Sequence, residues 1–254
     1  MFSKILTLII LAISLQVHAY TPPEFILTDN KVPVKVVTNL SNEYYGTIII
    51  AHGCKGVTPH EEMVGMKLAE EGFNTVVIDS WKYRNVNHVC ENNAVKSHER
   101  LEEVYKTVNW INRQKWHSGK IFLIGYSHGG MVALAASKHT KEKGIDKAVA
   151  FYPYCFPSDH VEPKIPTQVH IGEKDDWTPA QRCRGMYDGL FRKYKDGEYF
   201  EYPNAYHGFD LKGVDRVIPG IGQGGIVKSR IIRFDRSSTI TAYTRTLKFF
   251  KDSK

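Results

Sequence analysis

Short β-rich runs alternate with longer amphipathic stretches along most of this 254-residue sequence, and that alternation constrains the fold more than any other feature. Residues 32–37, 47–51, 75–78, 121–124, 148–151, 167–171 and 199–202 each read as a strand. Between them lie helical patterns. Residues 61–71 carry Met63, Met66 and Ala69 on one face, and Leu101, Val104, Tyr105, Val108 and Ile111 form a single stripe. Met131, Leu134 and Ala135 open another helix, Met186, Leu190 and Tyr194 mark a further one, and residues 239–250 close the chain as a helix. This order predicts an α/β fold, a mostly parallel sheet flanked by helices on both faces.

The first residues are set apart from that pattern. Lys4 precedes an apolar run over 5–15, and Val17-His18-Ala19 supplies the small residues that a signal peptidase reads. The run is well short of the ~20 residues that span a bilayer as a helix. Residues 1–19 are therefore expected to be a signal peptide, cleaved near Ala19, and not a stable membrane anchor. The mature chain is expected in the periplasm or outside the cell. No repeat, low-complexity tract or linker divides residues 20–254, which are expected to form one domain.

The formal charge is +7, but acidic and basic residues are interleaved, as over 138–147. No basic helix or aromatic-basic pattern points to nucleic acid. Four cysteines, Cys54, Cys90, Cys155 and Cys183, form an even set in an exported chain, which favours disulfides. Three pairings are possible. There is no CxxC or HExxH spacing, so no metal site is expected.

The chemistry-bearing segment is Gly125-Tyr126-Ser127-His128-Gly129-Gly130, directly after the 121–124 strand and before a helix. A sharp strand-to-helix turn there forces the serine into strained backbone space and exposes its hydroxyl, and flanking glycines permit the close packing. A serine hydroxyl needs a base and a group to orient that base. The 167–171 strand ends in Gly172-Glu173-Lys174-Asp175-Asp176-Trp177-Thr178-Pro179, so Asp175 and Asp176 compete as the orienting acid. After the last strand, His207 is placed as the base, whereas His128, His139, His160 and His170 occupy positions before the acid. Backbone N–H groups for an oxyanion are expected from His128 and from Cys54 in His52-Gly53-Cys54-Lys55-Gly56. Lys55, Trp81 and Arg84 are candidates to line the substrate pocket. Residues 213–235 contain Pro219-Gly220-Ile221-Gly222-Gln223-Gly224-Gly225 and then an alternating run. They read as a surface hairpin, or as a flap over the site because they follow His207 closely.

These segments together resemble the dienelactone hydrolase family, in particular an exported branch with a serine nucleophile. The resemblance also draws on Asp79-Ser80-Trp81 with Arg84 and Cys90, on Phe151-Tyr152-Pro153-Tyr154-Cys155, and on Tyr202-Pro203 with Ala205, His207, Phe209 and Asp210. It covers nearly all of the mature chain. It implies the α/β-hydrolase fold, a triad of Ser127, Asp175 and His207, and disulfides Cys54–Cys90 and Cys155–Cys183. Two departures bear on substrate. Ser127 stands where dienelactone hydrolase has a nucleophilic cysteine. Leu211-Lys212, not an arginine, follows His207. Both point toward cleavage of general carboxylic esters, with a small-molecule ester as partner and no cofactor. The rival readings are a serine peptidase acting on short peptides and a non-catalytic binding protein on a hydrolase scaffold.

Overall fold

The computed structural model describes residues 24–252 except Asn93, Leu190, Lys195, Gly224 and Gly225, so the expected signal peptide lies outside the described residues. Eight strands form one sheet: β1 (Ile26–Leu27), β2 (Pro33–Val37), β3 (Gly46–Ala51), β4 (Phe73–Ile78), β5 (Ile121–Tyr126), β6 (Lys147–Phe151), β7 (Thr167–Gly172) and β8 (Gly197–Tyr202). Their order is β1-β2-β4-β3-β5-β6-β7-β8. From β4 to β8 all neighbours are parallel, while β1 and β2 run antiparallel at one edge. Every residue of β3, β4, β5 and β7 is buried. Their continuous apolar runs follow from being covered on both faces.

The helices are α1 (Pro59–Glu70), α2 (Ser80–Arg84), α3 (Ser97–Ile111), α4 (His128–Ser137), α5 (Ala180–Gly189) and α6 (Arg236–Lys251). Alternate side chains along a strand point to opposite faces, which assigns the layers. Phe122 and Tyr126 of β5 meet α6, through a stacked Phe250 and a 2.7 Å Tyr126–Tyr243 hydroxyl contact. Gly65 of α1 packs against Thr75, Ile50 and Val77 on that same face. Gly125 faces the other way, against α4, which in turn packs on α3.

The pattern of the sequence agrees with these elements except at four short or terminal features. Two-residue β1 and five-residue α2 are too brief to carry a periodicity. The helix around Met186 ends at Gly189, and Tyr194 lies beyond it, past a 3₁₀ turn at Phe191–Lys193. Helix α1 starts earlier than the apolar stripe because Thr58 caps it. The Thr58 hydroxyl accepts from the His60 N–H at 3.3 Å, and the Glu61 carboxylate accepts from the Thr58 N–H at 2.8 Å. Residues 213–235 contain an antiparallel hairpin, β9 (Asp215–Gln223) with β10 (Ile226–Arg233). Outside the sheet, it is tied to the chain near the site by a bridge between His207 and Ile232. Cys54 is bonded to Cys90 and Cys155 to Cys183, the pairs that the resemblance implies.

Three histidines, His52, His128 and His170, are buried in this frame with their pKa values pushed down, His52 by burial and then Arg100. His170 is stacked between Phe151 and Phe200, and burial, aided by Arg245, pushes its pKa down to about 3. Burial and then Arg100 push His128 down to about 3 as well. In the unfolded chain all three titrate near 6.5, so between pH 6.5 and 3 the unfolded state binds more protons. Stability is therefore expected to fall as the pH drops through that window, by up to ~1.4 kcal/mol per pH unit for each histidine. Urea midpoints at pH 7, 6 and 5 check this, and His170→Gln should flatten the slope. A wild-type midpoint that stays constant from pH 7 to 5 would contradict it.

Candidate active site

The C-terminal ends of the parallel strands bring Ser127, Asp175 and His207 together beside one cleft, which is where open α/β sheets place their sites. Ser127 stands between β5 and α4 with φ 53° and ψ −109°. A non-glycine residue held there costs roughly 1–3 kcal/mol of strain. The turn is held by Ser127 N–H donating to the Phe151 carbonyl at 2.9 Å and by Met131 N–H donating to the Ser127 carbonyl at 3.1 Å. The glycines have a steric reason. A Cβ on Gly125 would stand 2.0 Å from the Gly129 carbonyl oxygen, and one on Gly129 would stand 2.0 Å from that of Ala51.

His207, after β8, is buried with Nε2 3.0 Å from the Ser127 hydroxyl and Nδ1 2.8 Å from Asp175 Oδ2. Asp175, after β7, is held by its own loop. Its Oδ1 accepts from the Trp177 and Thr178 N–H groups at 2.9 and 2.8 Å, and its Oδ2 lies 2.8 Å from the Thr178 hydroxyl. Since Asp175 can only accept, His207 carries its proton on Nδ1, leaving Nε2 to accept from Ser127. Tyr152 and Trp177 pack against the imidazole with ring centroids 4.8 and 5.0 Å away.

Asp176 does a different job. Its Oδ1 accepts from the Ile231 N–H at 3.1 Å and its carbonyl from Arg230 at 2.7 Å, so it anchors the return strand of the hairpin. That anchoring, with the Arg233 N–H to His207 carbonyl bond at 3.4 Å, makes the base of the hairpin a wall of the cleft.

The cleft encloses about 470 Å³ beside Ser127 and His207. Its surface is mainly apolar, from Met63, Tyr126, Tyr152, Trp177, Leu211 and Ile232. Gly53 and Cys54 line it, and Gly53 lies against Ser127: a Cβ there would be 3.7 Å from that of the serine. Lys55 also lines it, together with Lys212 and Arg216. His60 closes one side, 3.3 Å from Asp210, whose other oxygen accepts from the Tyr152 hydroxyl at 2.7 Å. Burial draws the His60 pKa down, but the Asp210 carboxylate outweighs it and holds the imidazole above its ordinary value.

Two expected pocket residues lie elsewhere. Trp81 is 2% exposed, and its indole N–H donates to the Cys54 carbonyl at 3.0 Å, so it supports the Cys54 loop without reaching the cleft. Arg84 turns toward α3, pairing with Glu103 and donating to the Glu99 carbonyl at 3.4 Å. In each case a short helix, α2, sets the direction of the side chain. Four participants were not anticipated: Tyr152, Thr178 and Trp177 around the imidazole, and Arg100 behind the Cys54 loop. Among the described residues, no three or more His, Cys, Asp or Glu side chains are gathered so as to hold a metal ion.

Residues 34–253 match the family model described as the dienelactone hydrolase family. This chain belongs to the dienelactone hydrolase family. It is 26% identical over 186 residues to a "Putative carboxymethylenebutenolidase" of Yersinia pestis, covering 65% of this chain and 69% of that protein. It is also 26% identical over 172 residues to a "Bis(hydroxyethyl) terephthalate hydrolase" of Streptomyces coelicolor. That match covers 67% of this chain and 53% of the Streptomyces protein, so the chain spans about half the length of this relative. Among solved structures, a "Putative Dienelactone Hydrolase" from Klebsiella pneumoniae superposes with a TM-score of 0.71 at 17% identity, over 87% of this chain and 93% of that one. This likeness shows a shared α/β-hydrolase fold. Family membership makes the chain one of a family of hydrolases.

Asp176 gives the hairpin a testable anchor. Asp176→Ala removes the acceptor for Ile231 N–H and is expected to speed proteolytic cleavage within residues 213–235 several-fold. Limited proteolysis followed by mass spectrometry reads this, and an unchanged cleavage rate would contradict the anchoring.

Proposed function

We propose that this chain is an exported serine hydrolase that cleaves carboxylic esters through an acyl-enzyme. The observation that carries the reading is the line of contacts from Asp175 through His207 to Ser127, at 2.8 and 3.0 Å, ending on a serine held at φ 53° beside the cleft. Ser127 attacks the ester carbonyl carbon while His207 Nε2 takes the hydroxyl proton. Asp175 orients the imidazole and stabilises the imidazolium that forms. The oxyanion of the tetrahedral intermediate is received by the N–H groups of Cys54 and His128, each worth ~3 kcal/mol in sites of this kind. Collapse expels the alcohol, which takes the proton from His207, and water then releases the acid by the same steps in reverse. The reaction needs no metal or organic cofactor.

The shape of the cleft supports a small ester whose acyl part is apolar or aromatic, since 470 Å³ is within the ordinary range for small-molecule sites. The name of the Streptomyces relative, a hydrolase of an aromatic ester, is in keeping with this. Residues 1–19 and the two disulfides support export, because such bonds persist in oxidising compartments. No helix among the described residues is long and apolar enough to cross a membrane.

A fluorophosphonate probe tests the reading on the disulfide-bonded protein. Labelling is expected in the parent and absent in Ser127→Ala, and Asp175→Asn should lower kcat by on the order of 10⁴ with the wrong imidazole tautomer. A p-nitrophenyl ester should turn over while short peptides do not. A parent protein that neither labels nor hydrolyses esters would sink the proposal, and peptide turnover exceeding ester turnover would replace it with a peptidase.

A further inference from the structure

We propose that Arg100 is a positioning residue for this reaction, one buried guanidinium that holds both backbone segments of the oxyanion hole in register. The inference rests on the reading that Cys54 and His128 supply the N–H donors.

Arg100 projects from α3 and is only 2% exposed. Its three nitrogens serve three different segments. Nη2 donates to the His52 carbonyl at 3.0 Å, two residues before Cys54. Nη1 donates to His128 Nδ1 at 2.8 Å, on the residue that follows Ser127. Nε donates to the Ser80 hydroxyl at 2.9 Å. Ser80 then closes a ring of contacts, since its N–H donates to His52 Nε2 at 3.1 Å. The guanidinium also lies over the Trp81 ring, 4.7 Å from its centroid, and Trp81 in turn holds the Cys54 carbonyl. A planar fork with fixed angles suits this arrangement, because it constrains the spacing of the acceptors it bridges.

The histidines are tuned to accept. An arginine can only donate, so His128 accepts on Nδ1 and donates from Nε2 to the Val95 carbonyl at 2.8 Å. His52 accepts on Nε2 and donates from Nδ1 to the Gly53 carbonyl at 2.6 Å. Burial, then the Arg100 charge, pushes both imidazoles far down, so they stay neutral at pH 7. Burial also lowers Arg100 to about 9, which leaves it charged at neutral pH.

The chemistry of the partners separates a positioning role from simple stabilisation. The groups bonded to Arg100 are a carbonyl, a hydroxyl and a neutral imidazole, with no carboxylate among them. A cation buried without a bonded counter-charge costs several kcal/mol, and apolar residues of similar volume often serve stability as well or better. Glu61 and Asp79 favour the charge from a distance, without a bond to it, and an oxyanion formed from the substrate carbonyl adds a further counter-charge. A preorganised cation in a low-dielectric surround then favours the transition state over the ground state.

The test uses the disulfide-bonded protein with a p-nitrophenyl ester and a boronic acid that forms a tetrahedral anion on Ser127. Arg100→Met is expected to lower kcat by about 100-fold with KM within about 3-fold, and to weaken the boronic acid in proportion to kcat. Arg100→Lys, which restores charge but not the fork, should recover activity to within roughly 10-fold of wild type. Near-UV circular dichroism checks the fold of each variant. A folded Arg100→Met with wild-type kcat, or with its loss confined to KM, would overturn the proposal. Should Arg100→Met fail to fold, Arg100→Lys and Ser80→Ala decide: each is expected to lose about 3- to 10-fold in kcat, and wild-type kcat in both overturns the proposal. Wild-type protein that neither labels with fluorophosphonate nor turns over ester would overturn the hydrolase reading and this proposal together. Wild-type turnover with unaffected variants overturns this proposal alone.

Discussion

The site depends on a contact between backbones that no side chain could occupy. At Gly125, Gly129 and the end of β3, strand and helix approach so closely that a Cβ would meet a carbonyl oxygen at 2.0 Å. That approach brings the first turn of α4 against β3, so Ser127 and the Cys54 loop line the same cleft. It also holds Ser127 in left-handed backbone space, which a free loop would relax at a gain of a few kcal/mol. The surrounding sheet has to over-determine the turn. Fully buried β3 and β5, paired in parallel register, supply that rigidity.

Around this turn, each loop is secured by its own device. Cys54 is bonded to Cys90, its carbonyl accepts from Trp81 and Val89, and Arg100 holds His52 behind it. Asp175 is held by two N–H groups and the hydroxyl of Thr178, which also lies 3.1 Å from His207 Nδ1. The second disulfide joins Cys155, just after β6, to Cys183 of α5, close to the Asp175 loop in the chain. Each of these supports acts on loop backbone or on the orientation of a ring. The polar groups of the site are therefore fixed in orientation before anything enters the cleft, the preorganisation that the proposed reaction requires.

Charge is distributed unevenly around the cleft. Three buried histidines, His52, His128 and His170, are driven toward the neutral form by desolvation, two of them beside a buried arginine. His60 is the exception, because Asp210 stands 3.3 Å away. Two imidazole–carboxylate pairs thus flank the cleft. Among the described residues, the His207–Asp175 pair is the one that reaches Ser127, with its outer nitrogen 3.0 Å from the hydroxyl.

The sequence by itself determined the features whose cause is local. Alternating strand and helix patterns implied a parallel sheet covered on both faces, and the glycines around Ser127 implied a turn that tolerates no Cβ. The chain order of serine, acid and histidine followed from the same topology. What the tertiary structure decided was the direction of individual side chains. Asp175 and Asp176 are neighbours with the same chemistry, yet one meets His207 and the other ties down Ile231, 55 residues along the chain. Trp81 and Arg84 are carried away from the cleft by a five-residue helix too short to leave a periodic signal. Arg100 had a trace in the sequence, since it precedes Val104 by four residues and so continues the buried stripe of α3. A charged residue at such a position reads as the rim of a helix. Only the packing of α3 against three other segments shows that its charge is enclosed, because burial and hydrogen-bond partners depend on residues far away in the chain.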